Sequence, residues 1–373
     1  MFDLDTTSAW ENKTLDYNLE KYPWNKWVLD IINEIRPDVK SLETIHEVVD
    51  VPELVKIQAY VQAAFGRKEF MQRFDSFAEE YAKNLISNKK YLIKRNATLN
   101  VVLPNQAKKA RRLPFHQGIF YSNGRGQRTI WMALTKCEGT NSMWIMDTDN
   151  SQRITKTVIA EQWPLSKFEE ECVKYSKPVE IIPGQAHLFH QEHIHGNVNN
   201  ETGYTRMSID WHILIEGEEY WRRQPGGFFR LPGDYAQDTP LDYTGKVVVA
   251  YTSNNTEFDS NIPMYIQRGT VDSYCAKHKI NHTGVQFENE FLPWLPILQD
   301  YIFQKPDAIV LFSLHSLPDD AIIANKILNL ALQNEVELHF ANEFLSLKDR
   351  NDLEKILTYK NFGVKKKGPF SWE

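Results

Sequence analysis

At 373 residues, with 42% hydrophobic and 25% charged residues, the chain has room for two domains and the composition of a globular protein, which excludes wholesale disorder. A net charge of −6 and a pI near 6.0 argue against a strongly basic phosphate-binding face, so nucleic acid is not an expected partner. Cys137, Cys172 and Cys275 are odd in number and widely spaced, residues 1–7 carry no signal-peptide pattern, and no apolar run approaches the roughly 20 residues of a membrane span; the expectation is a reducing, cytoplasmic setting without a membrane partner.

Residues 10–95 place Phe70, Phe74, Phe77 and Tyr81 at helical spacing among many charges, which predicts a helical N-terminal layer. From about residue 98 the period shortens. Strand-like runs at Leu99–Leu103, Thr129–Leu134 and Met143–Met146 alternate with turn signals such as Ser122-Asn123-Gly124-Arg125-Gly126. The basic run Lys108–Arg112 reads as a solvated loop, with contact to a substrate phosphate as the alternative. One helix is predicted over Ser166–Tyr175, whose Ser-x-x-Glu opening has the pattern of a capping box. Strands resume at Val179–Ile182, Ala186–Phe189 and Arg206–Ile215. The glycine- and proline-rich stretch 224–245 reads as a linker, giving domains 1–245 and 246–373. Beyond it, strands at Val247–Tyr251, Ala308–Phe312 and Glu337–Phe340 alternate with helices at 263–279, 291–303 and 321–333, the rhythm of a small α/β domain with a parallel sheet.

Three histidine-bearing segments stand out: His116, the cluster His190, His193 and His195, and His212. Neutral imidazoles are common ligands for iron, and an open iron site uses few protein ligands. Any one histidine alone is more often a core or surface residue; the arrangement is what points to metal. A dicarboxylic co-substrate also needs a cation for its far end. Arg206 follows His195 on the next predicted strand, with Ser208 on the same face by period-two alternation. Structural zinc is a weak competitor, because cysteine pairs at zinc spacing are lacking.

On these residues the run Pro114–Ile215 resembles the phytanoyl-CoA-hydroxylase-like branch of iron(II)/2-oxoglutarate oxygenases, in particular members from carbohydrate-modification clusters. The motifs are His116-Gln117-Gly118, Thr140-Asn141-Ser142-Met143, Pro183-Gly184 leading to His195-Gly196, and Arg206-Met207-Ser208. The resemblance implies a mainly β, double-stranded β-helix (jelly roll, cupin-like) with N-terminal helices. It implies His116 and His195 as ligands of Fe(II), and Arg206 and Ser208 on the far carboxylate of 2-oxoglutarate. Asn141 and Trp131 are further cofactor-side candidates, with Asn197, His190, Glu192 and His193 as neighbours of the site. Where most of the family carries a carboxylate ligand, this chain has Gly118, which resembles the family's halogenases, in which a small residue leaves the position open to chloride or bromide. Glu192 or Asp147 approaching from elsewhere, water, or an inactive cupin-like binding protein are the alternatives.

Residues 246–358 resemble small proteins of sporadic carbohydrate biosynthesis clusters, themselves similar to the catalytic fold of serine recombinases, on Asp307–Pro318 and Val336–Glu343. The arginines that a serine nucleophile needs are missing around Ser253 and Ser313–Ser316, so a docking or dimerising module is expected. The expected function is hydroxylation or halogenation of a carbohydrate or nucleotide-sugar type small molecule, with chloride as an optional third cofactor and a homodimer through the C-terminal domain.

Overall fold

Helical spacing in the N-terminal region becomes helix in the computed structural model, which describes residues 12–82, 89–105, 114–121, 123–220, 223–235, 243–253, 262–288 and 294–365. The described chain divides into a first unit ending at Arg223 and a second beginning at Gln224. In chain order the first unit contains β1 (Asn12–Asp16), α1 (Trp24–Asn33), α2 (Val51–Ala64), α3 (Lys68–Phe77), β2 (Tyr91–Lys94), β3 (Thr98–Val102), β4 (Gln127–Ala133), β5 (Met143–Met146), α4 (Thr148–Glu161), α5 (Leu165–Tyr175), β6 (Ser176–Pro178), β7 (Gln185–His190), β8 (His195–Asn197) and β9 (Arg206–Ile215).

The helices form because one face of each is apolar. α1 buries Trp24, Val28, Ile31 and Ile32, and α3 buries Phe70, Met71, Phe74 and Phe77. α2 starts where the Asp50 carboxylate accepts the Glu53 N–H at 2.8 Å, with Pro52 in its first turn. They cover one face of an antiparallel sheet ordered β1-β7-β4-β9, with β2 and β3 both paired along the far edge of β9. Trp24 stacks on Phe74 at 4.6 Å, and Phe74 meets Trp211 of β9 at 5.6 Å. Each such side chain taken out of water stabilises by about 1.5–3 kcal/mol.

Period-two alternation turns the other residues of these strands to the opposite face: His187 and Phe189 on β7, Thr129, Trp131 and Ala133 on β4, Arg206, Ser208, Asp210 and His212 on β9. A second antiparallel sheet, ordered β6-β5-β8, packs there through Met143 and Ile145, which share a small core with Trp131, Ala133, Cys137, Val179, Ile181 and Phe189. Polar residues on this inner face are thus shielded from water.

Several expectations are corrected. Region 10–95 is not all helix, since β1 and β2 are held as strands by pairing with β7 and β9. Val179–Ile182 is not a regular strand; the ladder uses Ser176–Pro178, and Ile181 makes a single bridge to Cys137. α5 starts after Pro164, which puts Ser166 inside the first turn with no side-chain cap. α4 was not anticipated. The basic run 108–112 and Ser122 lie outside the described residues.

The second unit contains β10 (Val248–Thr252), α6 (Met264–Lys277), β11 (His282–Phe287), α7 (Pro296–Phe303), β12 (Ala308–Leu311), α8 (Ala321–Gln333), β13 (Glu337–Phe340), β14 (Leu345–Leu347) and α9 (Arg350–Lys360). Its sheet runs β11-β10-β12-β13-β14, parallel except for β14. The unit begins earlier than the boundary expected at 245, because the supposed linker packs into it. At Gly226, φ is +88° and a Cβ would come within 2.7 Å of Leu314; the Leu231 N–H donates to the Tyr359 hydroxyl at 2.9 Å; and Lys355 pairs with Asp234 at 2.6 Å.

Candidate metal centre

The backbone itself joins the two expected iron ligands. His116 and His195 exchange N–H···O bonds of 2.9 Å in both directions, and their rings lie 4.3 Å apart between centroids. Gly196 permits this approach: a Cβ there would stand 2.7 Å from the Phe115 Cα. The His116 Nδ1 lies 2.8 Å from the Pro114 carbonyl and the His195 Nδ1 2.9 Å from the His193 carbonyl. A carbonyl only accepts, so each Nδ1 carries the proton and each Nε2 is the nitrogen with the lone pair, the form in which imidazole ligates. Burial lowers the pKa of both rings; His195, with His116 beside it, is pulled down to about 3. Both are neutral at pH 7.

Arg206 is 2% exposed, and its nearest polar partner is the Asn197 amide oxygen, 3.2 Å from one terminal nitrogen. Its Nε is buried without a hydrogen bond, and among the described residues no carboxylate pairs with it. Trp131 lies beside it, with the guanidinium 5.5 Å from the ring, and the Trp131 indole N–H donates to the Ser208 hydroxyl at 2.9 Å. Burial lowers the Arg206 pKa to about 10, which still leaves the group charged at neutral pH. Arg206, Ser208 and Trp131 are therefore together. Asn141 is not used in this way: its side chain accepts the Glu138 N–H at 2.8 Å and donates to the Lys136 carbonyl at 3.3 Å, closing its own turn.

Gly118 follows His116 by two residues, and the space its side chain would fill is taken. A Cβ there would lie 1.9 Å from Gln191 Oε1 and 2.8 Å from Asn123 Nδ2. The two carboxylates considered as replacements have other duties. Asp147 is exposed and caps α4 through Asn150 at 2.8 Å, while Glu192 is buried against Arg125 at 3.1 Å. Among the described residues no group of three or more His, Cys, Asp or Glu side chains is placed to hold a metal ion. The donor set that fits a metal is the histidine pair.

Asp210 was missed, and His212, one of the three histidine segments, is its partner on this face. The His212 Nε2 donates to Asp210 at 2.8 Å, and Lys94 stands 3.8 Å from the same carboxylate. Burial raises the Asp210 pKa, but His212 and Lys94 outweigh it, so the carboxylate is held below its usual range. Their signal was present: in β9 every second residue from Arg206 to His212 is polar within an otherwise apolar strand. His187 opposite Trp131 shares a hydrogen bond with Thr14 at 3.1 Å, and burial pulls it down to about 4.

In the second unit two of the serine positions considered for a nucleophile are held by hydrogen bonds. Ser313 donates to Glu343 at 2.7 Å, and the Ser253 backbone exchanges hydrogen bonds with the Gln267 amide at 2.8 and 3.3 Å.

No protein-family model and no curated protein matches the chain. Among solved structures it is similar to the non-heme alpha ketoglutarate dependent epimerase SnoN from nogalamycin biosynthesis, at 13% identity over 42% of this chain and 60% of that one, with a TM-score of 0.32. AviO1 from Streptomyces viridochromogenes Tue57 is similar at 12% identity over 55% of this chain and 89% of that one, TM-score 0.32. The N-terminal catalytic domain of TP901-1 integrase is similar at 16% identity over 31% of this chain and 91% of that one, TM-score 0.26. The chain thus spans about 60% of the length of SnoN.

Proposed function

We propose that the first unit is an iron(II)/2-oxoglutarate-dependent oxygenase on a double-stranded β-helix, oxidising a small molecule. The observation that carries this reading is the buried Arg206 guanidinium, which has no carboxylate beside it among the described residues. A buried charge without a counter-ion costs several kcal/mol, and an anion brought by a ligand would complete it. A dicarboxylate whose other end chelates a metal meets that need, and the neutral His116 and His195 supply the lone pairs for the metal.

Iron(II) with 2-oxoglutarate supplies oxidation of a substrate C–H bond by O2, with loss of CO2 and one oxygen atom entering succinate. The chain's own residues position the reactants. Two backbone carbonyls fix the tautomer of the ligand histidines, Trp131 orients the Ser208 hydroxyl towards the carboxylate site, and the core around Phe189 and Met143 excludes water from that end.

The finer reading is hydroxylation or halogenation of a carbohydrate or nucleotide-sugar type molecule. Asp210, His212 and Lys94 on the same face suit a substrate rich in hydroxyl groups. The second unit is read as a docking or dimerising module related to the sporadic carbohydrate cluster proteins, supported by its parallel sheet and by serines engaged in structural hydrogen bonds. The competing reading, a cupin-like binding protein without turnover, draws on the two-ligand donor set.

Succinate formation separates the two. Protein loaded with iron(II) under air converts 2-oxoglutarate to succinate, and His195→Ala lowers iron affinity roughly 100-fold or more and abolishes the product. Iron occupancy unchanged in that variant would overturn the ligand assignment, and iron-loaded wild type that makes no succinate would favour the binding protein.

A further inference from the structure

We propose that the carboxamide of Gln191, braced by Asn123, closes the space beside Gly118 against both halide and a carboxylate ligand, which selects the hydroxylating branch of the function above. The inference rests on the iron/2-oxoglutarate reading. A glycine two residues after a ligand histidine leaves room for a halide only where nothing else enters that room, and here Gln191 Oε1 stands 1.9 Å from the point where a side chain on Gly118 would begin.

Nothing in the backbone asks for glycine at 118, since its φ is not in the left-handed region. What excludes a side chain is space. A Cβ on Gly118 would come 1.9 Å from Gln191 Oε1 and 3.0 Å from its Cδ, far inside any real contact. The obstructing group is not a loose end. Asn123 Nδ2 donates to Gln191 Oε1 at 2.6 Å, Gln191 Nε2 donates to the Thr129 hydroxyl at 2.7 Å, and Gln191 is 1% exposed. Displacing it would strand buried amide groups at both ends.

The main chain keeps the two segments in register. His116 bridges to His195, the Gln117 amide donates to the Glu192 carbonyl at 2.6 Å, and the Ile119 N–H donates to the Gln191 carbonyl at 3.4 Å. Gln191 is thereby carried to Gly118 by the same contacts that bring the ligand histidines together. It is a positioning residue, and its carbonyl oxygen is the polar atom that stands where a carboxylate side chain would start.

Two measurements test this on the full chain. In the metal-free protein, Gly118→Ala should lower the melting temperature by roughly 5 °C, and the same substitution made in a Gln191→Ala background should cost much less than that. In the anaerobic iron(II) protein with 2-oxoglutarate, the visible charge-transfer band should be unmoved by chloride or bromide in wild type and should shift with either in Gln191→Ala. A wild-type band that moves with chloride would overturn the proposal, as would a Gly118→Ala protein as stable as wild type. If iron binds and no band forms in any variant, the 2-oxoglutarate reading fails and the halide claim falls with it, while the melting cycle still decides whether Gln191 occupies the space at 118.

Discussion

Each unit buries a charged side chain, Glu343 in the second and Arg206 in the first, and the two are completed differently. In the second unit the buried Glu343 carboxylate accepts from the Ser313 hydroxyl at 2.7 Å, the Leu314 N–H at 2.9 Å and the Asn342 amide at 2.8 Å, and His339 sits between the Tyr243 and Tyr274 hydroxyls at 2.7 and 2.9 Å. In the first unit the buried Arg206 has one amide oxygen at 3.2 Å and, among the described residues, no carboxylate. A charge completed by its own chain holds a loop in place; a charge left incomplete marks where a ligand supplies the rest.

The comparison can be broken most forcefully by truncating one charge in each unit. Glu343→Ala strands three donors and should destabilise the second unit by about 3–5 kcal/mol. Arg206→Met removes a charge that the metal-free protein has no anion to balance, and should raise its stability by about 1–2 kcal/mol. Urea unfolding of the metal-free proteins reads both; shifts of the same sign would remove the distinction.

Acid sharpens it further. Burial depresses His187 to about 4 in the folded chain, whereas the unfolded chain takes up that proton near 6.5. The unfolded state therefore binds more protons as the pH falls through this window, so stability present above about 6.5 is progressively lost towards about 4, by on the order of 3 kcal/mol for this group. His195, depressed to about 3, acts in the same direction. Unfolding midpoints followed from pH 7 to 4 should show the decline, and His187→Gln should make it shallower; an unchanged slope would show that the ring is not the source.

The smallest expected effect concerns Asn141. Its side chain closes the turn ahead of β5, so Asn141→Ala should cost about 1 kcal/mol of stability and leave 2-oxoglutarate affinity unaltered. A loss of affinity would return Asn141 to the cofactor side of the site.

The parts legible in the sequence are those fixed by strand alternation and residue chemistry. His116, His195, Arg206 and Ser208 could be singled out because histidine, arginine and serine in strands carry an unusual chemistry, and β9 and α8 lie where their periodicity puts them. α4 was hidden because its sequence is largely polar and buries only Ser151, Ile154 and Thr155. β1 was hidden because an edge strand is specified by its partner, not by its own propensity. The stretch after Gln224 has the glycines and prolines of a linker, yet Gly226 is there because Leu314 and Glu343 approach it. Gln191 was illegible for the same reason. Gly118 shows that a side chain is missing, and only the fold shows which neighbour has moved into its place.

The most direct test of the central claim is an anaerobic titration of the iron(II) protein with 2-oxoglutarate, followed by the visible charge-transfer band in wild type and Arg206→Met. The account predicts a saturable band in wild type and an affinity weaker by roughly 100-fold in the variant, with iron still bound. Equal affinity in the two proteins, or iron-loaded wild type that never develops the band, would contradict it.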